Sequence, residues 1–321
     1  MFDHILAPLD GSSLAECALP HAAAVAAAFN AKLTVLQVLS RMATAGAFVD
    51  PLAWQMDRVE TSKYLDEVRR RLRQCGFEAE PVILDGQPAS SIIEYARHQS
   101  VSLIVLSSHG RSGLSIWNVS GVVQKIVQRA GLPVLIVRAN QPICPDLNGL
   151  RYRTILAPLD SSQRAECVLP IAARLARYFQ ARLLAVHAVA RPEMPRRTAP
   201  SAEDLELADR LTGRNTAEAA HYLDQIQKRL NDADLEVETR LLVHSSGAAA
   251  ALHDLVDRER VDLVVLSAHG YSGETRWPYG SVVDKFISYG SSSLLIYQDL
   301  SPYEMGRSAS VEPRSLDIPR P

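Results

Sequence analysis

The sequence carries almost no excess of either charge: 34 Lys and Arg stand against 36 Asp and Glu, a net charge of −2 over 321 residues. That balance removes the electrostatic footprint of a general nucleic-acid binder. The basic stretch RRRLR, from Arg69 to Arg73, falls in a helical pattern and reads as a solvated face. Cysteine is scarce. Cys17, Cys75, Cys144 and Cys167 form no CxxC pair, so neither a zinc site nor a redox motif is signalled. Reduced thiols in a cytoplasmic protein are the expectation. Long apolar runs are missing too: ALPHAAAVAAAF is too short and too interrupted to span a bilayer. The first residues, FDHILAPLD, read as a strand and carry no signal-peptide pattern. The histidines show no metal-ligand spacing, and no GK[ST] lysine is present.

Internal repetition is what the sequence does have. ILAPLDGSSLAECALPHAA, from Ile5, returns as ILAPLDSSQRAECVLPIAA, from Ile155. VSLIVLSSHGRSG, from Val101, returns as VDLVVLSAHGYSG, from Val261. The chain therefore divides into one domain over 1–140 and a second copy over 151–300. The linker is NQPICPDLNGL, and the second copy is longer near Arg191 to Asn215, which reads as a loop and a short helix. Residues 301–321 hold four prolines and few large apolar side chains, and read as a disordered tail.

Each copy alternates apolar strands with amphipathic helices. In the first, HILAPLD, AKLTVLQVL, FEAEPVIL, VSLIVLSS and LPVLIVR read as strands. Ala15 to Phe29, ETSKYLDEVRRRLRQCG, PASSIIEYARHQ and GVVQKIVQRAG read as helices, with Gly76 as a natural C-cap. Strands apolar on both faces imply a parallel, doubly wound α/β sheet. Ligands on such sheets sit at the carboxyl edge, where strand order reverses. Asp10, Asp160 and the glycine loops after the fourth strands open toward that edge.

In the second copy that loop runs Ser267-Ala268-His269-Gly270, nine residues, then Gly280-Ser281; in the first it runs Ser107-Ser108-His109-Gly110, nine residues, then Ser120-Gly121. A helix starting after Ser281 would aim unpaired N–H groups and a partial positive charge at the sheet edge. Glycine lets a phosphate approach the backbone, and Ser281 adds a hydroxyl. Each charge-assisted bond there is worth roughly 1.5–3 kcal/mol. If Gly280 requires a positive φ, the serine at 120 costs ~1–2 kcal/mol. An ordinary turn into a helix, capped by serine, would use the same residues.

These loops, with an Asp closing each first strand, resemble those of the universal stress proteins. The whole repeat order is similar to two fused UspA-type domains. The resemblance implies two Rossmann-like domains with five-stranded, mainly parallel sheets, packed as an intrachain pseudo-dimer whose fifth strands meet. It implies an adenine nucleotide, ATP with Mg, held mainly by the second domain. On this chain the family's site falls on Pro158, Asp160, Ala188, Ser267, His269, Gly270, Gly280, Ser281 and Val282. A degenerate version falls on Pro8, Asp10, Val38, Ser107, Gly110, Ser120 and Gly121. Asp10 and Asp160 also suit a plain turn role. His109 and His269 have no partner at triad spacing and read as loop-ordering residues. Cys17 and Cys167 read as packed thiols, and Trp117 and Trp277, inside the loops, as packing or interface residues.

Three functions follow. The first is a cytoplasmic stress-response protein that acts through ligand-dependent conformation and contact with a protein partner, with a homodimer of tandem chains as its further assembly. The second is a nucleotide-independent scaffold. The third is a slow ATPase. No catalytic or metal-binding residue is assigned, and neither nucleic acid nor membrane is expected as a partner.

Overall fold

The structure is a computed structural model that describes residues 1–40, 50–111, 113, 119–139, 147, 149–192, 201–231, 235–271 and 279–299. The first half runs β1 (His4–Leu9), α1 (Ser13–Glu16), α2 (Ala18–Phe29), β2 (Lys32–Leu39), α3 (Pro51–Gln74), β3 (Ala79–Asp85), α4 (Pro88–His98), β4 (Leu103–Ser107), α5 (Gly121–Arg129) and β5 (Val134–Val137). The second repeats it as β6 (Thr154–Leu159), α6 (Gln163–Glu166), α7 (Leu169–Phe179), β7 (Arg182–Ala190), α8 (Ala202–Leu230), β8 (Val237–His244), α9 (Ala248–Arg258), β9 (Leu263–Ser267), α10 (Ser281–Tyr289) and β10 (Ser293–Tyr297).

The strands join in one sheet, ordered β3-β2-β1-β4-β5-β10-β9-β6-β7-β8. Within each half every pairing is parallel. The halves meet where β5 and β10 run antiparallel, with Leu135 opposite Leu295. This is the two-domain, doubly wound arrangement that the sequence implied. All residues of β4 and β9 are buried, because helices cover both faces. One core layer lies under α2, α3, α7 and α8, the other under α4, α5, α9 and α10. Strand order reverses between β1 and β4, and again between β6 and β9, which puts a crevice at the carboxyl edge of each half.

Three helix expectations change. The helix expected from Ala15 to Phe29 breaks at Cys17 into α1 and α2, with Ser12 capping the first piece. The helix expected at Glu60 begins at Pro51, where Asp50 caps it and proline supplies a preset φ. Gly76, at φ +85°, follows its end as expected. The short helix foreseen in the longer second copy is instead the start of α8, a single 29-residue helix opened by a Ser201–Asp204 capping box.

Contacts besides the strand seam tie the halves together. Arg138, buried at the end of β5, donates to the carbonyls of Phe286 (2.6 Å), Ile287 (3.2 Å) and Ser292 (3.3 Å) around the end of α10. Tyr279 donates in the other direction, to the Val127 carbonyl in the last turn of α5. On the opposite face His21 of α2 meets the Tyr152 hydroxyl at 2.5 Å. Arg174 of α7 lies over the Phe29 ring, 5.1 Å from its centroid. Among the described residues no helix is long and apolar enough to cross a membrane. Trp117, Trp277, Cys144, most of the linker and the tail from 301 lie outside the described residues.

Candidate functional site

Asp10 and Asp160 close their strands in the same way. Asp10 Oδ1 accepts from the Ser12 amide (3.0 Å) and hydroxyl (2.6 Å), and Oδ2 accepts from the Arg111 amide at 2.6 Å. Asp160 repeats this with Ser162 (3.1 and 2.6 Å) and the Tyr271 amide (2.5 Å). The turn role is therefore realised, and a second one is added: each carboxylate pulls the glycine loop onto the end of the first strand. A Cβ at Gly110 would overlap the Asp10 carboxylate, and one at Gly270 that of Asp160. Close approach, and not a positive φ, is what fixes these two glycines.

The loop ends correct the expectation for Gly280. It sits at φ −72°, ψ 164°, and Ser120 sits at φ −70°, ψ 159°. Both are N-caps in extended backbone open to any residue, so the serine carries no conformational cost. A Cβ at Gly280 would meet the Ala268 carbonyl at an ordinary 3.5 Å. The two helix starts differ in another respect. Ser120 Oγ accepts from the Val123 amide at 3.3 Å, whereas α10 has no side-chain cap. Ser281 is the first helical residue, and Gly121 holds that place in α5.

Loop-ordering partners that spacing did not reveal now emerge. His269 is buried, and its Nδ1 and backbone amide both lie 2.9 Å from Asp299 Oδ1. Arg164 donates to Asp299 Oδ2 at 2.7 Å, and Ser267 Oγ donates to the His269 carbonyl at 2.5 Å. Burial pushes the Asp299 carboxyl upward, but its bonds to His269 and Arg164 outweigh this and hold it below the usual carboxylate range. In the first half Ala139 and Leu14 stand where Asp299 and Arg164 stand in the second, and His109 Nδ1 instead pairs with the Ser108 hydroxyl at 3.1 Å. Those two substitutions between the copies were the available signal. The thiols are packed, as expected: burial, and secondarily Asp299, push Cys167 up to about 12, and burial raises Cys17 despite its bond to Ser107.

In the first half these residues bound a cleft of about 910 Å³. Pro8, Asp10, Val38, Ser107, Gly110, Ser120 and Gly121 all line it, although the sequence rated this half the degenerate one. His109, Arg111 and Lys125 line it as well, and α3 supplies Trp54, Asp57 and Thr61. In the second half Pro158 lies in β6, two residues before Asp160, and Ala188 extends β7 one residue beyond the Leu159–His187 pair. The Gly280 amide donates to the Ala268 carbonyl at 2.9 Å, which brings Gly280, Ser281 and Val282 up to Ser267, His269 and Gly270. Among the described residues no cluster of three or more His, Cys, Asp or Glu could hold a metal ion.

A family model described as the Universal stress protein family matches residues 1–138 and again 151–298. The universal stress protein YxiE of Bacillus subtilis is 32% identical over 149 residues, 43% of this chain and all of that protein. Rv2005c, a universal stress protein of Mycobacterium tuberculosis, is 26% identical over 293 residues, covering 87% of this chain and 91% of its own length. Among solved structures, a universal stress protein from Archaeoglobus fulgidus superposes with a TM-score of 0.65 at 16% identity, covering 92% of this chain and 98% of that one.

Proposed function

Because the chain belongs to the universal stress protein family, with two copies of its domain in tandem, we propose that it binds an adenine nucleotide, ATP with Mg, mainly in the second half, and signals by the resulting change in conformation. Residues 1–140 and 151–300 are the two domains of this reading. One observation carries the choice of half: the N-terminus of α10 has no side-chain cap, while Ser120 already caps that of α5. Uncapped amides at a helix start favour an anion by charge and by hydrogen bonding. Gly280, Ser281 and Val282 would take the phosphates. Pro158, Asp160 and Ala188 would border the adenosine, and Ser267, His269 and Gly270 would shape the loop between. The residue types suit such a ligand: the α10 amides carry no side-chain cap, a Gly280 Cβ would meet nothing nearer than the Ala268 carbonyl at 3.5 Å, and the equivalent residues of the first half line a cleft of about 910 Å³. Asp284 is the acidic residue of the first turn of α10; burial raises its carboxyl, and the nucleotide's phosphates, accompanied by Mg, would take the uncapped amides before it.

Calorimetric titration of the full chain with ATP and Mg tests this. Gly280→Asp gives α10 a cap, so the fold persists, but sets a carboxylate against the phosphates. Affinity at the main site is expected to fall by about 100-fold or more. Ser120→Asp, which only exchanges one cap for another, should leave that site unchanged. The reverse pattern would move the main site to the first half, and a wild-type chain that binds no nucleotide would favour the scaffold. Hydrolysis is expected to be slower than about one turnover per minute, against roughly 1–100 s⁻¹ for kinases, because the sequence offers no GK[ST] lysine to hold the transferring group. A protein partner and a homodimer of tandem chains remain the proposed means of output.

A further inference from the structure

The two halves share a buried polar position that no motif contains. Gln37 of β2 lies directly opposite Leu9, and His187 of β7 directly opposite Leu159. Each is thus level with the last strand residue before Asp10 or Asp160. Gln37 is only 7% exposed, and its amide oxygen has no hydrogen-bond partner. His187 is half-buried, and its Nδ1 has no partner either. Gln37 lines the cleft of the first half, and its Nε2 lies within 3.9 Å of where a Gly11 Cβ would stand. Duplication makes this a pattern: two different side chains occupy one register position, and each keeps an unpartnered polar atom beside the first-strand aspartate. A buried polar atom without a partner is costly, and native structures keep few of them.

We propose that Gln37 and His187 read the ring edge of the ligand's base, and that their difference gives the two halves different selectivity. This rests on the adenine-nucleotide reading above. A glutamine amide presents a donor beside an acceptor, the complement of the paired amino group and ring nitrogen of a 6-aminopurine. The unpartnered imidazole nitrogen presents one donor or one acceptor. Burial holds His187 below the usual imidazole range, against a smaller opposing effect of Asp160, which favours the neutral ring. The first half therefore demands the 6-amino group, and the second tolerates its loss. A site with a buried amide discriminates against a ligand that leaves it unpaired, because the penalty reappears in the complex.

The test is titration of the full chain with adenosine and with purine riboside, which lacks the 6-amino group; neither carries phosphate, so both halves are probed by the base alone. Gln37→Met, close in volume, is expected to weaken adenosine at one site about 10- to 100-fold and to weaken purine riboside there less, so that the preference for the 6-amino group narrows. His187→Met is expected to weaken both ligands at the other site. Because each change removes an unpartnered polar atom, the melting temperature should hold or rise; a fall would mark a structural role and overturn the proposal. If ATP binds the wild type but both Met variants titrate adenosine as the wild type does, the base-reading role fails while the nucleotide reading stands. A single adenosine site that responds only to His187→Met overturns the assignment of Gln37. A wild type that binds neither adenosine nor ATP overturns both readings.

Discussion

Adding one methyl group at Gly110 or Gly270 would set it on the carboxylate of Asp10 or Asp160, so either the loop or the aspartate must move. Gly270→Ala is expected to lower the unfolding free energy by about 1–3 kcal/mol, the usual cost of overpacking, as read from urea denaturation. Gly280 should behave in the opposite sense. Its backbone already matches that of Ser120, so Gly280→Ser should stabilise the chain by a few tenths of a kcal/mol by capping α10. The spelling of the loops alone suggests the reverse, because a glycine in a sequence does not show which of its two properties is in use. At 270 the missing Cβ makes room for the Asp160 carboxylate; at 280 the backbone is extended, and what the glycine leaves out is a side-chain cap. The same limit hid Asp299 and Gln37. Motif residues repeat and can be matched between the copies, but Asp299 replaces an alanine and His187 replaces a glutamine. The place of His187 beside Leu159 follows from which strands pair, and the bonds of Asp299 to His269 and Arg164 from where the chain leaves β10.

At the level of elements, two interface side chains carry measurable weight. Burial lowers the His21 imidazole to about 4, so it stays neutral against Tyr152 in the folded chain. The unfolded chain, with an ordinary value near 6.5, binds the proton first. Stability from this group is thus present above about pH 6.5 and is lost as pH falls toward about 4, by at most about 3 kcal/mol. His21→Gln should flatten the fall in unfolding free energy between pH 7 and pH 4. Arg138 fills the opposite role, a buried cation at the negative end of α10, brought down to about 10 by burial and still charged at neutral pH. Arg138→Met would strip donors from the Phe286 and Ile287 carbonyls, and should cost about 1–3 kcal/mol in denaturant unfolding. Strand and helix types were legible throughout, because apolar runs and 3.6-residue periods report burial directly. Helix ends were less so. The start of α8 at Ala202 depends on a capping box within a charged, proline-rich stretch, and the break at Cys17 is marked only by Pro20, which cannot donate to the carbonyl four residues back and so sits in the first turn of α2.

For the whole molecule, the continuous sheet and the reciprocal ties of Tyr279 and Arg138 leave no weak plane between the halves. Scanning calorimetry is expected to give a single transition with equal calorimetric and van't Hoff enthalpies; two resolved transitions would show that the halves melt independently. The antiparallel meeting of β5 and β10 also decides what the chain cannot do. A strand edge that pairs with a like edge is an open hand, able to take any partner that offers the same pattern. Here both hands are clasped within one polypeptide, and the edges left over, β3 and β8, lie at the far ends and carry Glu80, Pro81, Glu238 and Arg240. Subunit exchange through that seam is closed off, so neither dilution nor a surplus of single-domain relatives can swap one half for another. Whatever difference evolves between the two clefts stays yoked in a fixed one-to-one ratio.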